Sequence, residues 1–194
     1  STYIANLLEI GVLEREFPVG TKPVERSKGM RGLYQISDNF FRFWYSFVFP
    51  YRSELERGDV EGVYERHIKP VLHDFAGKPF EGLCREWMWR ESAAGRLPFR
   101  ARAVGRWWDR QDEIDVMAVD NASDAAIVGE CKFRNAPVDR SVLNLLRDRA
   151  ARTGIGQRTY LLFSLGGFDQ SLVDDAAASQ SDVQLVGIDE LFHE

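Results

Sequence analysis

Residues Arg158 to Phe163, Arg-Thr-Tyr-Leu-Leu-Phe, form a nearly continuous apolar run with no polar-apolar alternation. Such a strand is the kind expected in the interior of a sheet covered on both faces. The neighbouring segments supply the cover. Val138 to Arg152 sets Val142, Leu145, Leu146 and Arg149 along one side of a helix, and Phe80 to Trp87 sets Phe80, Leu83, Cys84 and Trp87 on one helical face. Between them, Pro98 to Trp108 reads as extended, Glu113 to Asp120 alternates as a strand, Asn121 to Asp124 makes a turn, and Ala125 to Phe133 is a further strand. A helix from Asp169 to Ala178, a strand from Val183 to Val186 and a short terminal helix follow. From about Gly77 onward the chain is therefore α/β, with a central sheet flanked by helices.

The upstream part has a different rhythm. Ile4, Leu7 and Leu8 share one face of a short helix stopped at Gly11; Val12 to Val19 reads as a strand, Gly20 to Arg31 as a polar loop and Gly32 to Ile36 as a returning strand. Ser1 suits the helix N-cap. Asp38 then caps a helix through Phe40 to Phe49, with a turn or kink at Pro50. Its dense aromatics could stack nucleobases, but burial between two bodies is the preferred reading. Val60 to Phe75 reads as an amphipathic helix with Val63, Ile68, Val71 and Leu72 available for burial. Residues 1–50, 51–76 and 77–194 are thus expected to be an N-terminal body with its connector, a helical linker and the α/β domain.

Composition narrows the function. The net charge of -5 argues against coating nucleic acid by bulk electrostatics, which needs many phosphate-neutralising cations. A local basic groove stays open, since Arg96, Arg100, Arg102, Arg106 and Arg110 cluster in one stretch, although a solvated face is the preferred explanation. The longest apolar run, Phe40 to Tyr51, is broken by Arg42 and too short to span a bilayer, and no secretory signal is read at the start. Cys84 and Cys131 offer no disulfide framework and suit a reducing cytoplasm as small buried hydrophobes. His67, His73 and His193 lack the spacing of a metal pair, no serine sits in a nucleophile elbow, and no phosphate-binding Gly-Lys-Ser or Gly-Lys-Thr loop occurs. The acidic residues Glu54, Glu56, Asp59, Glu61 and Glu65, and the pair Asp174-Asp175, read as solvated surface.

The chemistry lies in Glu113-Ile114-Asp115-Val116 and, one hairpin later, Gly129-Glu130-Cys131-Lys132. Strand alternation turns Glu130 and Lys132 to one face and Cys131 to the other, and the antiparallel neighbour can bring Asp115 beside them. Two carboxylates and a backbone carbonyl are hard oxygen ligands suited to Mg²⁺ or Mn²⁺, while the lysine can orient the attacking water and offset developing phosphorane charge. An ordinary surface cluster of salt bridges is the competing explanation.

In order and residue type, Asp115, Glu130 and Lys132 resemble the motif of PD-(D/E)XK nucleases over roughly residues 77 to 165. That likeness implies a restriction-endonuclease-like fold, Asp115 and Glu130 as metal ligands, Lys132 as a catalytic residue, and Glu81 of Gly77-Lys78-Pro79-Phe80-Glu81 as the first-helix carboxylate. Glu86 is the rival for that last role, and Ile114 stands where the motif usually has proline. The first 36 residues resemble the last third of a winged helix through Leu7-Leu8-Glu9-Ile10-Gly11-Val12-Leu13, with Lys22, Arg26, Lys28 and Arg31 as wing cations; a protein-packing module is the plainer alternative. Together with Trp107-Trp108, this arrangement is similar to the C-terminal half of an archaeal and bacterial ATPase family, which implies a missing upstream P-loop domain. Two functions follow: a metal-dependent DNA phosphodiesterase, able to form homo-oligomers, or an idle docking or regulatory module of an ATPase.

Overall fold

The computed structural model describes residues 2–27, 32–120 and 124–192. Ser1, Lys28, Arg31, the turn residues 121–123 and His193 lie outside the described residues. The chain divides into two compact units, one formed by residues 1–17 and 23–76, the other by 18–22 and 77–194.

In the first unit, helix α1 (Thr2–Glu9) leads to strand β1 (Leu13–Glu16), which pairs antiparallel with β2 (Leu33–Ile36) from Leu13 opposite Ile36 to Glu16 opposite Leu33. Part of the expected polar loop instead forms a short helix, α2 (Pro23–Ser27), with proline at its first turn, where the missing N–H costs least. Asp38 accepts hydrogen bonds from the Phe40 and Phe41 amides and so starts α3 (Asn39–Phe43), as the sequence predicts. The helix then widens over Trp44–Val48, where the Phe49 amide reaches back five residues to the Trp44 carbonyl.

Burial along this aromatic helix differs from expectation. Phe47 is buried, and with Phe43 it packs on Phe75 at ring separations of 5.0 and 6.0 Å, but Phe40, Phe41, Trp44, Tyr45 and Phe49 are exposed. Aromatic content signals a need for cover without supplying it.

The segment expected to be one helix from Val60 is broken. α4 (Arg52–Glu56) and α5 (Val60–Val63) precede a second widened turn at Tyr64–Ile68, and α6 (Leu72–Ala93) follows. Val63 is fully buried, whereas Val71 and Leu72 are exposed. The acidic cluster is a surface network, as expected: Arg66 bridges Glu54 and Asp59 at 2.7 Å each, and Lys69 pairs with Glu65 at 2.8 Å.

The second unit is built on a five-stranded mixed sheet in the order β3 (Ala103–Trp108), β4 (Glu113–Val119), β5 (Ala125–Lys132), β6 (Gln157–Ser164), β7 (Val183–Gly187). The β3–β4 and β4–β5 pairs are antiparallel, and β5–β6 and β6–β7 are parallel. Parallel neighbours need crossovers, and α7 (Arg140–Ala151) and α8 (Gln170–Ala177) provide them, each capped by an aspartate, Asp139 and Asp169.

Each sheet face has its own core. On one, Phe80, Cys84, Trp87 and Met88 of α6 (Leu72–Ala93) and Leu191 of α9 (Ile188–Phe192) cover Val116, Ala118, Ile127, Leu161 and Phe163. On the other, Leu143, Leu146 and Ala150 of α7 and Leu172 of α8 cover Met117, Val119, Ala126, Val128, Tyr160 and Leu162. Leu161, Leu162 and Phe163 are buried between the two layers, and burying each such side chain is worth about 1.5–3 kcal/mol. Leu145, expected on the inner side of α7, is exposed and Leu143 takes its place.

α6 runs without a break through Gly77 and Pro79, so the helix read at Phe80 to Trp87 starts earlier than its apolar pattern suggests. Both residues disfavour helix, and tertiary packing of the Phe80 to Met88 face must offset them. Trp87 Nε1 donates to the Glu190 carbonyl at 3.1 Å and Arg90 to the Leu191 carbonyl at 2.7 Å, tying α6 to α9. Pro18–Lys22 belongs to this unit because the Val19 amide donates to the Arg106 carbonyl at 2.7 Å, which ends the expected Val12 to Val19 strand early.

Candidate functional site

The site forms where β4 and β5 stop pairing. Their ladder runs from Val119 opposite Ala126 to Val116 opposite Gly129 and ends there. On the other side of β4, Gly105 lies opposite Met117 but Trp107 lies opposite Ile114, so two steps along β3 answer three along β4. The extra residue is a β-bulge at Asp115 and Val116, which explains why Ile114 joins Met117 and Val119 in the α7 layer while Val116 joins Ala118 in the α6 layer. A bulge re-aims side chains, and here it frees Asp115 from simple alternation.

Asp115 Oδ2 accepts a hydrogen bond from the Cys131 amide at 2.9 Å, replacing the ladder bond lost at the strand ends. Its carboxyl is pushed up to about 7, first by burial, then by the nearby negative charge of Glu130, with a smaller push from Glu81; the Cys131 amide and Lys132 pull the other way. The Cys131 thiol points into the α6 layer beside Cys84 and is raised well above its ordinary value by burial.

Glu130 and Lys132 share a face, as alternation requires. Lys132 Nζ lies 2.6 Å from Glu130 Oε1, and Glu130 is buried. The carboxylate has a second cationic partner that sequence reading did not find: Arg149 Nη1 from α7 approaches Glu130 Oε2 at 3.2 Å. Arg149 Nε also lies 3.8 Å from Asp112, and Arg152 joins Asp112 at 3.1 Å and Asp109 at 2.7 Å. Two hydrogen bonds from the Gln111 and Asp112 amides, with Arg152, hold the Asp109 carboxyl down at about 2.

Glu81, one turn before Cys84 on α6, pairs with Lys78 at 2.8 Å and has Arg85 at 3.9 Å, and its charge is felt at both Asp115 and Cys131. Glu86 is exposed, and Glu81 is the one whose charge reaches Asp115. Of the cations expected on a wing, Arg26 lies over the Phe17 ring at 5.2 Å. In the basic stretch, Arg96 is engaged by Glu91 at 2.6 Å and Arg106 by Glu113 at 2.9 Å. His67 stacks on Tyr51 at 3.8 Å.

Among the described residues, no group of three or more His, Cys, Asp and Glu is arranged to hold a metal. The donor set is nevertheless chemically suited to a hard divalent cation of the Mg²⁺ kind, which is commonly held by one or two carboxylates and completes its shell with water and substrate phosphate. Asp115 and Glu130 are two such carboxylates, and the like-charge cost that raises Asp115 is one a cation would relieve.

Residues 44–150, more than half of the chain, match the model of the DUF234 family, described as archaeal and bacterial proteins of unknown function. The chain belongs to this family. The span shared with DUF234 includes Glu81, Asp115, Glu130, Lys132 and Arg149. An uncharacterized protein of Methanocaldococcus jannaschii is 33% identical over 148 residues, covering 75% of this chain but 31% of the relative. The chain thus spans about a third of that relative's length. No solved structure matches. Among the described residues, no helix is long and apolar enough to cross a membrane.

Proposed function

We propose that this DUF234 chain carries a divalent-metal-dependent nuclease site of the PD-(D/E)XK type, with a restriction-endonuclease-like sheet as its scaffold and DNA as its substrate. The observation that carries this reading is a bulged-strand aspartate, Asp115, hydrogen-bonded to the Cys131 amide between Glu130 and Lys132 and close enough to feel the charge of both, at the point where two strands part. Asp115 and Glu130 would hold Mg²⁺ or Mn²⁺. When bound, the metal would supply positive charge at the phosphodiester. Lys132, which donates to Glu130, would orient the attacking water and donate to a phosphate oxygen as charge develops there. Glu81 would act as the auxiliary base. The Methanocaldococcus relative is longer than this chain; on the sequence resemblance alone, we add a P-loop ATPase domain in a longer parent protein and a winged-helix role for the N-terminal unit.

A second reading has its own support. Glu130 already has two protein cations, Lys132 and Arg149, as partners, as expected of a docking module whose acidic residues are compensated without metal. The two are separated by calorimetric titration of Mg²⁺ and Mn²⁺ together with cleavage of linear, branched and single-stranded DNA by wild type, Asp115→Ala and Lys132→Ala. The nuclease reading expects metal binding lost in Asp115→Ala and retained in Lys132→Ala, with cleavage lost in both. Metal binding indifferent to Asp115, with no cleavage by the full-length parent, would leave the docking module.

A further inference from the structure

Among the described residues, the cations around Glu130 link into one network. Arg149 contacts Glu130 and Asp112, and Arg152 contacts Asp112 and Asp109. With Lys132 on Glu130, three cations face three carboxylates, and the formal charge of the network is zero. Arg149 is the member whose partners are least satisfactory. Its contacts are the longest of the set, and among the described residues its Nε is buried with no hydrogen-bond partner, Asp112 standing off at 3.8 Å. A guanidinium presents a planar fork of donors that matches a phosphate, so an orphaned N–H on this arginine is unused capacity for an anion.

Adding a divalent cation changes the balance. A metal on Glu130 and Asp115 competes with Arg149 for Glu130 and leaves the cluster with net positive charge. An anionic phosphodiester is the group that restores neutrality, and the released guanidinium can bind it in a forked geometry.

We propose that Arg149 is a phosphate-binding residue held in reserve by Glu130, released by divalent-metal binding to take a phosphodiester oxygen of the nucleic acid. This rests on the nuclease reading and deepens it, since it makes metal and nucleic acid bind cooperatively through one side chain of α7. Reciprocity follows: DNA must raise metal affinity by the same factor by which metal raises DNA affinity.

The test uses the full chain and titrates Mg²⁺ calorimetrically, alone and with a short cleavage-resistant phosphorothioate duplex. Wild type, Arg149→Gln, Arg149→Lys and, as a control on the same helix, Arg140→Gln are compared; Arg140 pairs with Asp175 away from this network. In wild type the duplex should raise the apparent Mg²⁺ affinity about tenfold. Arg149→Gln should bind Mg²⁺ alone several-fold more tightly than wild type, because Glu130 loses a competing cation, while losing the enhancement by duplex. Arg149→Lys keeps the charge without the fork, so it should keep part of the enhancement, and it decides the matter if the glutamine variant does not fold. Arg140→Gln should behave as wild type. Enhancement that survives in full in both Arg149 variants, or unchanged Mg²⁺ affinity in Arg149→Gln, overturns the role of Arg149 and leaves the metal site standing. A wild type that binds neither Mg²⁺ nor Mn²⁺ removes the nuclease reading and this inference with it.

Discussion

Replacing Asp115 by asparagine in metal-free buffer should make the protein more stable, by an amount that grows with pH. Moving the carboxyl from its ordinary 3.8 to about 7 corresponds to on the order of 4 kcal/mol against ionisation in the folded state. Well below pH 4 the group is protonated in both folded and unfolded chains and costs nothing. Between about pH 4 and pH 7 the folded chain holds a proton that the unfolded chain has released, so stability falls as pH rises through this window. Above it the cost is fully present. Asparagine keeps an oxygen to accept the Cys131 N–H but never ionises. The advantage of Asp115→Asn should therefore be under about 1 kcal/mol at pH 4 and about 2–4 kcal/mol at pH 8, the upper part being reached only if the site stays closed to water. Urea denaturation with EDTA at the two pH values, with equal m-values as the check on two-state behaviour, measures it directly. A difference between the two proteins that is the same at both pH values would refute the account of Asp115 as a buried carboxyl beside like charges.

Glu130→Gln should destabilise the metal-free protein by about 1–3 kcal/mol, because it leaves Lys132 and Arg149 facing a neutral amide, with the partial exposure of both cations keeping the loss below that of a fully buried pair; urea unfolding at pH 7 reads it. Asp169→Ala removes the acceptor for the Leu172 amide at the start of α8 and should cost about 1 kcal/mol, whereas Asp169→Ser should recover most of it in the same assay. Gly166→Ala would drive a methyl group into the backbone carbonyls of Arg134 and Asn135 and should cost about 1–3 kcal/mol, seen as a lower thermal midpoint.

The second unit was largely legible because its elements are separated by period. The apolar run at Arg158 to Phe163 does become a central strand buried on both faces, and the segments around Glu113 to Asp120 and Ala125 to Phe133 lie in the same sheet. The acidic-X-lysine pair could also be placed on one face, since alternation is a local property of extended backbone. The aromatic helix was not legible in the same way. Its residues demand cover, but whether Phe40 or Phe47 receives it depends on what packs there, and Phe47 is the one that meets Phe43 and Phe75. The start of α6 was misplaced for a related reason: local helix-breaking residues at Gly77 and Pro79 were overridden by the packed face that follows them.

By itself the sequence determined the periodicities, the Asp38 cap and the carboxylate and lysine residue types of the candidate site, because each depends on neighbours a few positions away. Only the tertiary structure decided the bulge at Asp115 and the placing of Arg149 against Glu130. A bulge exists only as a mismatch between two strands, and an arginine on a crossover helix finds its carboxylate through the packing of Leu143, Leu146 and Ala150 on the sheet. Neither relation has a local signature, since the free energy that selects it comes from burying those side chains against strands distant in the chain.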